Sequence, residues 1–283
     1  MKRHLIGAIA DIDDTLIPWE KPHSIAYPAM SLALSQASGL SLDLIIENIR
    51  EVNSQHGTIE YTALIQEMPC FTNLSAEERS KLIKIAINSR REAMKGLNNP
   101  FEDIEVLLET ILTKNLVNIA LSDAPKNLAY LRLKKAGLLN YFNRIIGTPS
   151  PDDRHFEPEF HMDDKDFLVP TSSSIAKKPD SDLEALLNLS AEKIRQQYFL
   201  YGNSAHSDMG LAKRYGLLFY HTKWDLGTLQ ERAILKQYAP ESALKHNVGT
   251  AEDKNQIIHP DFELVTVTKP SEIIDDLQKR GLL

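Results

Sequence analysis

The sequence predicts an α/β fold, a doubly wound parallel sheet interrupted by an inserted set of helices. Three observations lead to it. A short apolar run, Leu5 to Ala10, ends abruptly in Asp11, Asp13 and Asp14, the pattern of a buried parallel strand ending in a turn. Beyond about Asn99, apolar runs of strand length alternate with helical segments, as right-handed strand–helix–strand crossovers require. Between these stretches, from about Ser24 to Leu97, apolar residues recur at helical spacing without a clear strand. Residues 1–20 and 98–283 are therefore expected to form the sheet domain, and 21–97 a helical domain.

Taken in order, the acidic turn is followed by Ile17 to Pro28, where Pro18, Pro22 and Pro28 predict an irregular flap. Leu42, Leu44, Ile45, Ile46, Ile49 and Val52 mark one helix of about four in the insert. Ser75 with Glu78 has the form of a capping box at the start of another. Phe101 to Thr113 is predicted helical and Leu116 to Leu121 a strand ending at Ser122-Asp123. Pro125 to Ala136 is a helix closed by Gly137 in a left-handed cap, and Arg144 to Gly147 a short strand. Residues 149–176 are rich in Pro, Ser and Asp and are expected to form a long loop or small insertion. Asp180 to Leu189 is predicted helical, Gln197 to Tyr201 a strand, Ser207 to Tyr215 a helix capped by Gly216, and Leu217 to His221 a strand. A helical excursion over 226–258 precedes a last strand, Phe262 to Thr268, and a closing helix over 270–280.

Composition is that of an ordinary soluble domain, with 42% hydrophobic and 25% charged residues among 283. A formal charge of −7 gives no field to attract nucleic acid or an anionic membrane. Any anionic substrate must be drawn by a local site. The single cysteine, Cys70, excludes an intramolecular disulfide and suits a reducing compartment. The apolar run after Met1-Lys2-Arg3 is too short for a signal peptide, and no stretch approaches the ~20 apolar residues of a membrane span. A cytoplasmic protein of unspecified oligomeric state is the expectation.

Four strand ends carry polar groups, and ligands bind beyond the carboxyl ends of strands in open α/β sheets. Asp11-x-Asp13-x-Thr15, then Ser122, then Lys178-Pro179-Asp180, then Gly202-Asn203-Ser204-x-x-x-Asp208 follow one another along the chain. This ordered set resembles the haloacid dehalogenase-like superfamily, of the phosphatase type with a small α-helical cap. Lys135 to Phe142 and Ala212 to Gly216 support the resemblance, which covers almost the whole chain.

The resemblance implies a Mg²⁺-dependent phosphatase acting on a small phosphorylated metabolite. Asp11 would be the nucleophile, forming an acyl phosphate that divides hydrolysis into two easier steps. Asp13 would protonate the leaving alkoxide and then deprotonate water. Ser122 would donate to the phosphoryl oxygens, and Lys178 would pair with both nucleophile and phosphate. Mg²⁺ would be held by Asp11, the Asp13 carbonyl, Asn203 and Asp208, the last through water. Thr15 is expected to hold the turn and Asp14 to do no chemistry. Two departures stand out: Asn203 occupies a position that is usually acidic, and Asp123 follows Ser122 where Asn is common. They raise the alternative of a binding or regulatory protein with weakened chemistry. Asp13 argues against a dehalogenase, and a phosphomutase would use the same aspartate pair. Arg90, Arg91 and Lys95 in the cap, His56-Gly57 at a cap turn, and His155 and His161 in the insertion are further positions, read foremost as solvated.

Overall fold

The computed structural model describes residues 3–61, 63–148, 177–224, 228–239 and 258–283. The chain divides into two compact units, Met1–Pro18 with Asn99–Leu226 and Asn247–Leu283, and Trp19–Asn98 with Gly227–His246.

The first unit is built on six parallel strands: β1 (Gly7–Ala10), β2 (Val117–Pro125), β3 (Arg144–Thr148), β4 (Tyr198–Gly202), β5 (Leu218–Thr222) and β6 (Glu263–Val267). Their order across the sheet is β3-β2-β1-β4-β5-β6. The chain winds outward from β1 to β3 and then crosses back to β4, so the strand order reverses beside β1. That reversal opens a crevice at the carboxyl ends of β1, β2 and β4. The expected doubly wound parallel sheet is what the chain forms.

Residue alternation along the strands supplies two apolar faces, as period two requires. Ala8, Ala10, Ala120, Tyr201 and Tyr220 lie on one face and pack with Ile104, Leu107, Leu133 and Ile273. These last come from the helices Ile104–Thr113, Lys126–Lys135 and Ser271–Lys279. Ile9, Ile119, Leu121, Leu200 and Phe219 lie on the other face with Leu186, Ile194, Leu211 and Tyr215, from the helices Leu183–Leu187, Ala191–Gln197 and Ser207–Tyr215. Gly137 and Gly216 take the left-handed conformation expected of them (φ 74° and 69°). Asp180 to Leu189 holds a shorter helix than expected. A second one, Ala191–Gln197, opens on a Ser190 cap and runs directly into β4.

The second unit contains the helices Glu20–Ser38, Leu42–His56, Leu64–Glu67 and Ala76–Ala93. The capping box at Ser75 and Glu78 forms as its spacing implies. The flap expected over Ile17 to Pro28 is instead largely helical from Glu20. Pro22 falls in the first turn, where its missing N–H forfeits no intrahelical bond. Pro28 gives up one such bond, but Ala26, Tyr27, Met30 and Leu34 around it are buried.

Helix Leu229–Tyr238, which the sequence places in the sheet domain, belongs to this second unit. Leu235 and Tyr238 are buried in its core with Tyr27, Ile49 and Val52. The Tyr238 carbonyl accepts from the Asn53 amide at 2.8 Å, and Arg232 pairs with the buried Glu20 at 2.9 Å. The 3.6-residue pattern reveals that this segment is a helix but not which core receives it. The expected loop at 149–176, with His155 and His161, lies outside the described residues. No described helix is long and apolar enough to cross a membrane.

Candidate functional site

The site is organised by the turn after β1. Asp11 N–H still donates to Tyr201 O (3.0 Å) as a continuation of the sheet. The Ile12 carbonyl then accepts from the N–H groups of Thr15, Leu16 and Ile17 at 3.3, 2.8 and 3.2 Å. Ile12, Leu16 and Ile17 are buried in the sheet core, so apolar anchors alternate with the acids and fix the direction of each. Asp14 sits at φ 54°, the left-handed region that a short polar residue tolerates. Its N–H closes the turn on Ile17 O at 2.8 Å. Trp224, which the sequence reading does not single out, donates its indole N–H to Thr15 O at 3.0 Å.

One bonded network gathers residues from three separate motif segments. Lys178 is buried, and its Nζ lies 2.5 Å from Asp11 Oδ1 and 2.5 Å from Asp208 Oδ1. Asp11 Oδ2 accepts from the Thr15 hydroxyl at 3.1 Å, and that hydroxyl lies 3.4 Å from Asn203 Oδ1. Asp208 Oδ2 accepts from Ser204 N–H at 2.9 Å. Gly202 makes the close approach of Asp208 possible: a Cβ there would lie 2.4 Å from Asp208 Oδ2.

Burial and the Asp208 carboxylate push Asp11 up to about 7, against the pull of Lys178. Burial likewise raises Asp208, opposed by Lys178. Burial alone would lower Lys178, but the carboxylates of Asp11, Asp208 and Asp123 outweigh it and raise the ammonium's pKa. The lysine is therefore a fixed positive charge at neutral pH.

Asp123 is engaged by the backbone of the lysine segment. Its Oδ1 accepts the backbone N–H of Lys178 at 2.7 Å, tying the lysine segment to the end of β2. Ser122 is buried at the same strand end, and its Oγ accepts from Ala124 N–H at 3.1 Å, which leaves its O–H to donate. Asp13 is directed elsewhere. Its Oδ2 lies 2.5 Å from Arg132 Nη1. Burial raises its pKa, while Arg132 lowers it.

Asp11, Thr15, Lys178, Asn203 and Asp208 are thus joined by direct contacts. Among the described residues, Ser122 and Asp13 stand beside that network without a hydrogen bond into it. Arg132 and His221 escape the sequence reading. Arg132 looks like a helix-end cation beside Lys134 and Lys135, although it lies three residues from the sheet-facing Ala129. His221 Nε2 donates to the Asn203 carbonyl at 3.0 Å, and only the pairing of Gly202 with His221 in adjacent strands reveals it.

No group of three or more His, Cys, Asp or Glu side chains among the described residues is arranged to hold a metal. What the site does offer is oxygen: Asp11 Oδ2 and Asn203 Oδ1 both approach one hydroxyl, with the turn backbone alongside. Hard oxygen donors in small number suit Mg²⁺, which keeps several waters. Both Asp208 oxygens already receive protein donors.

Comparison with solved structures agrees on the fold. The chain is similar to an HAD phosphatase from Thermococcus onnurineus, with 16% identity, TM-score 0.53, and 98% of each chain covered. It is also similar to a haloacid dehalogenase-like family hydrolase from Xanthomonas campestris, with 16% identity, TM-score 0.52, and 99% of this chain and 100% of that one covered. No family model matches the sequence, and neither does any curated protein. The likeness establishes that the chain has the haloacid dehalogenase-like fold.

Proposed function

We propose that the chain is a Mg²⁺-dependent phosphatase that hydrolyses a small phosphate monoester through an aspartyl-phosphate at Asp11. The supporting observation is the buried ammonium of Lys178 shared by Asp11 and Asp208 at the end of β1. A carboxylate attacking a phosphate dianion meets charge repulsion, and a fixed cation touching the nucleophile is what relieves it. In the first half-reaction an Asp11 oxygen bonds to phosphorus. The ester P–O bond breaks, and the leaving oxygen takes a proton from Asp13. In the second, water attacks phosphorus and gives a proton to Asp13, and the Asp11–phosphorus bond breaks to restore the carboxylate.

Lys178 holds the nucleophile by Oδ1 and faces the phosphoryl charge, and Ser122 donates its O–H to a phosphoryl oxygen. Thr15 fixes Asp11 Oδ2. Asp11, the Asp13 carbonyl and Asn203 would hold Mg²⁺, with Asp208 fixing Lys178 and reaching the metal through water. When bound, Mg²⁺ supplies positive charge that stabilises the phosphoryl transition state.

The test is phosphate release from a broad panel of monoesters with and without Mg²⁺, for the native chain and Asp11→Asn. Turnover that needs Mg²⁺ and disappears in Asp11→Asn is expected. Turnover unchanged by Asp11→Asn would refute the mechanism. No turnover on the panel, together with no Mg²⁺ binding at millimolar concentration, would replace it with a binding role, to which the amide at Asn203 points.

A further inference from the structure

Arg132 is the charged partner of the site that the chemistry above leaves without a role. It lies on the helix Lys126–Lys135, which follows the Ser122 strand end. That helix is seated on the sheet by the buried Ala129, Tyr130 and Leu133. Its guanidinium meets Asp13 Oδ2 at 2.5 Å, with the two side chains only 18% and 20% exposed. The backbone of Asp13 is already fixed, because Asp14 N–H closes on Ile17 O and Ile17 N–H on Ile12 O. Only the side-chain torsions of Asp13 remain to be set, and a short charge-assisted bond to a seated helix sets them.

We propose that Arg132 is the positioning residue of Asp13, holding the carboxyl group by Oδ2 so that Oδ1 is presented to the leaving oxygen. This rests on the assignment of Asp13 as the acid and base of the phosphatase. The step it serves is balanced. The leaving oxygen takes the electron pair of the broken P–O bond and the proton of Asp13, and water returns a proton to Asp13 in the second half. Arg132 touches neither substrate nor phosphorus. It acts through the geometry of Asp13, and a positioned acid contributes to rate in proportion to how much the leaving group needs the proton.

That proportionality separates positioning from mere structural support. Phenyl phosphate and 4-nitrophenyl phosphate are similar in shape, but phenolate is the poorer leaving group and depends more on a proton donor. The experiment measures kcat/KM for both esters in the native chain, Arg132→Ala, Arg132→Gln and Arg132→Lys. Urea unfolding of each variant runs in parallel. Arg132→Ala is expected to lose about tenfold more on phenyl than on 4-nitrophenyl phosphate. Arg132→Lys should recover part of that difference by retaining a cation. Arg132→Gln, which keeps most of the side-chain bulk, carries the same comparison if Arg132→Ala does not fold. Equal losses on the two esters in a folded variant overturn the positioning role and leave the phosphatase intact. A native chain that releases phosphate from neither ester nor from the wider panel overturns the phosphatase and this role with it.

Discussion

Replacing Lys178 with Met tests the charge network without requiring knowledge of the substrate. In the native chain one ammonium donates to two buried carboxylates, each at 2.5 Å. Met fills similar space and donates nothing. Asp11 would retain the Thr15 hydroxyl and Asp208 the Ser204 N–H, so each carboxylate loses one charge-assisted bond. Bonds to charged groups contribute roughly 1.5–3 kcal/mol each, and stranding a buried charge typically costs about 3–5 kcal/mol. A loss of about 4 kcal/mol is expected in urea unfolding at pH 8 without divalent metal. The pH dependence follows from the sign of the shift. Removing the lysine raises the carboxyl pKa values further, so the folded variant holds a proton that the unfolded chain has released. Its stability then falls as pH rises. In the native chain Lys178 opposes that rise at both Asp11 and Asp208, so the gap between variant and native should be wider at pH 8 than at pH 6. A Met variant within about 0.5 kcal/mol of native at pH 8, or a gap that does not change with pH, would refute the buried triad.

Gly202→Ala places a Cβ 2.4 Å from Asp208 Oδ2. Overpacking of about 1–3 kcal/mol in urea unfolding is expected, with phosphate release reduced as Asp208 is displaced from Lys178. Asn203→Asp adds a carboxylate facing the Thr15 hydroxyl, and should tighten Mg²⁺ binding by about tenfold in calorimetric titration while destabilising the metal-free chain. Arg232→Ala removes the guanidinium that meets the buried Glu20 carboxylate at 2.9 Å, and a loss of about 2 kcal/mol is expected, less than for a fully buried pair because Arg232 is partly exposed. His221 is pushed below its ordinary range, with burial the main cause. The unfolded chain therefore binds this proton first as pH falls, so His221 by itself contributes a loss of stability below about pH 6.5, opposite in sign to the Asp11 contribution. His221→Gln should flatten that part of the profile in thermal melts at pH 7 and 5.5.

The sheet was legible because each buried strand is an apolar run ending in a polar turn, and the alternation of elements allows few topologies. All six strands fall where the runs lie. The prediction fails where a local signal has more than one outcome. Prolines read as breakers over 17–28, yet one lies in a first turn and another inside a helix whose buried face outweighs the lost bond. The helix Leu229–Tyr238 was visible by its periodicity. Its place beside Tyr27 and Val52 depends on contacts made some 180 residues away in sequence, such as Asn53 to Tyr238, and no local pattern encodes those.

The site divides along the same line. Asp11, Ser122, Lys178 and Asp208 can be singled out because motif order is a property of the sequence, but the partners of each can be read only from the structure. Three aspartates within four positions look like one acidic cluster. The turn instead directs Asp11 to Lys178, Asp13 to Arg132 and Asp14 into the left-handed bend. The two departures from the family pattern part company in the same way. Asp123 adds a charge, yet it holds the backbone of the lysine segment and so supports the cation that Asp11 contacts. Asn203 has no such second function among the described contacts. Its side-chain oxygen meets only the hydroxyl that also serves Asp11, and its carbonyl is fixed by His221. In the proposed phosphatase its missing negative charge would weaken the metal site, so the role proposed for Asp11 is tested most directly at a residue 192 positions away.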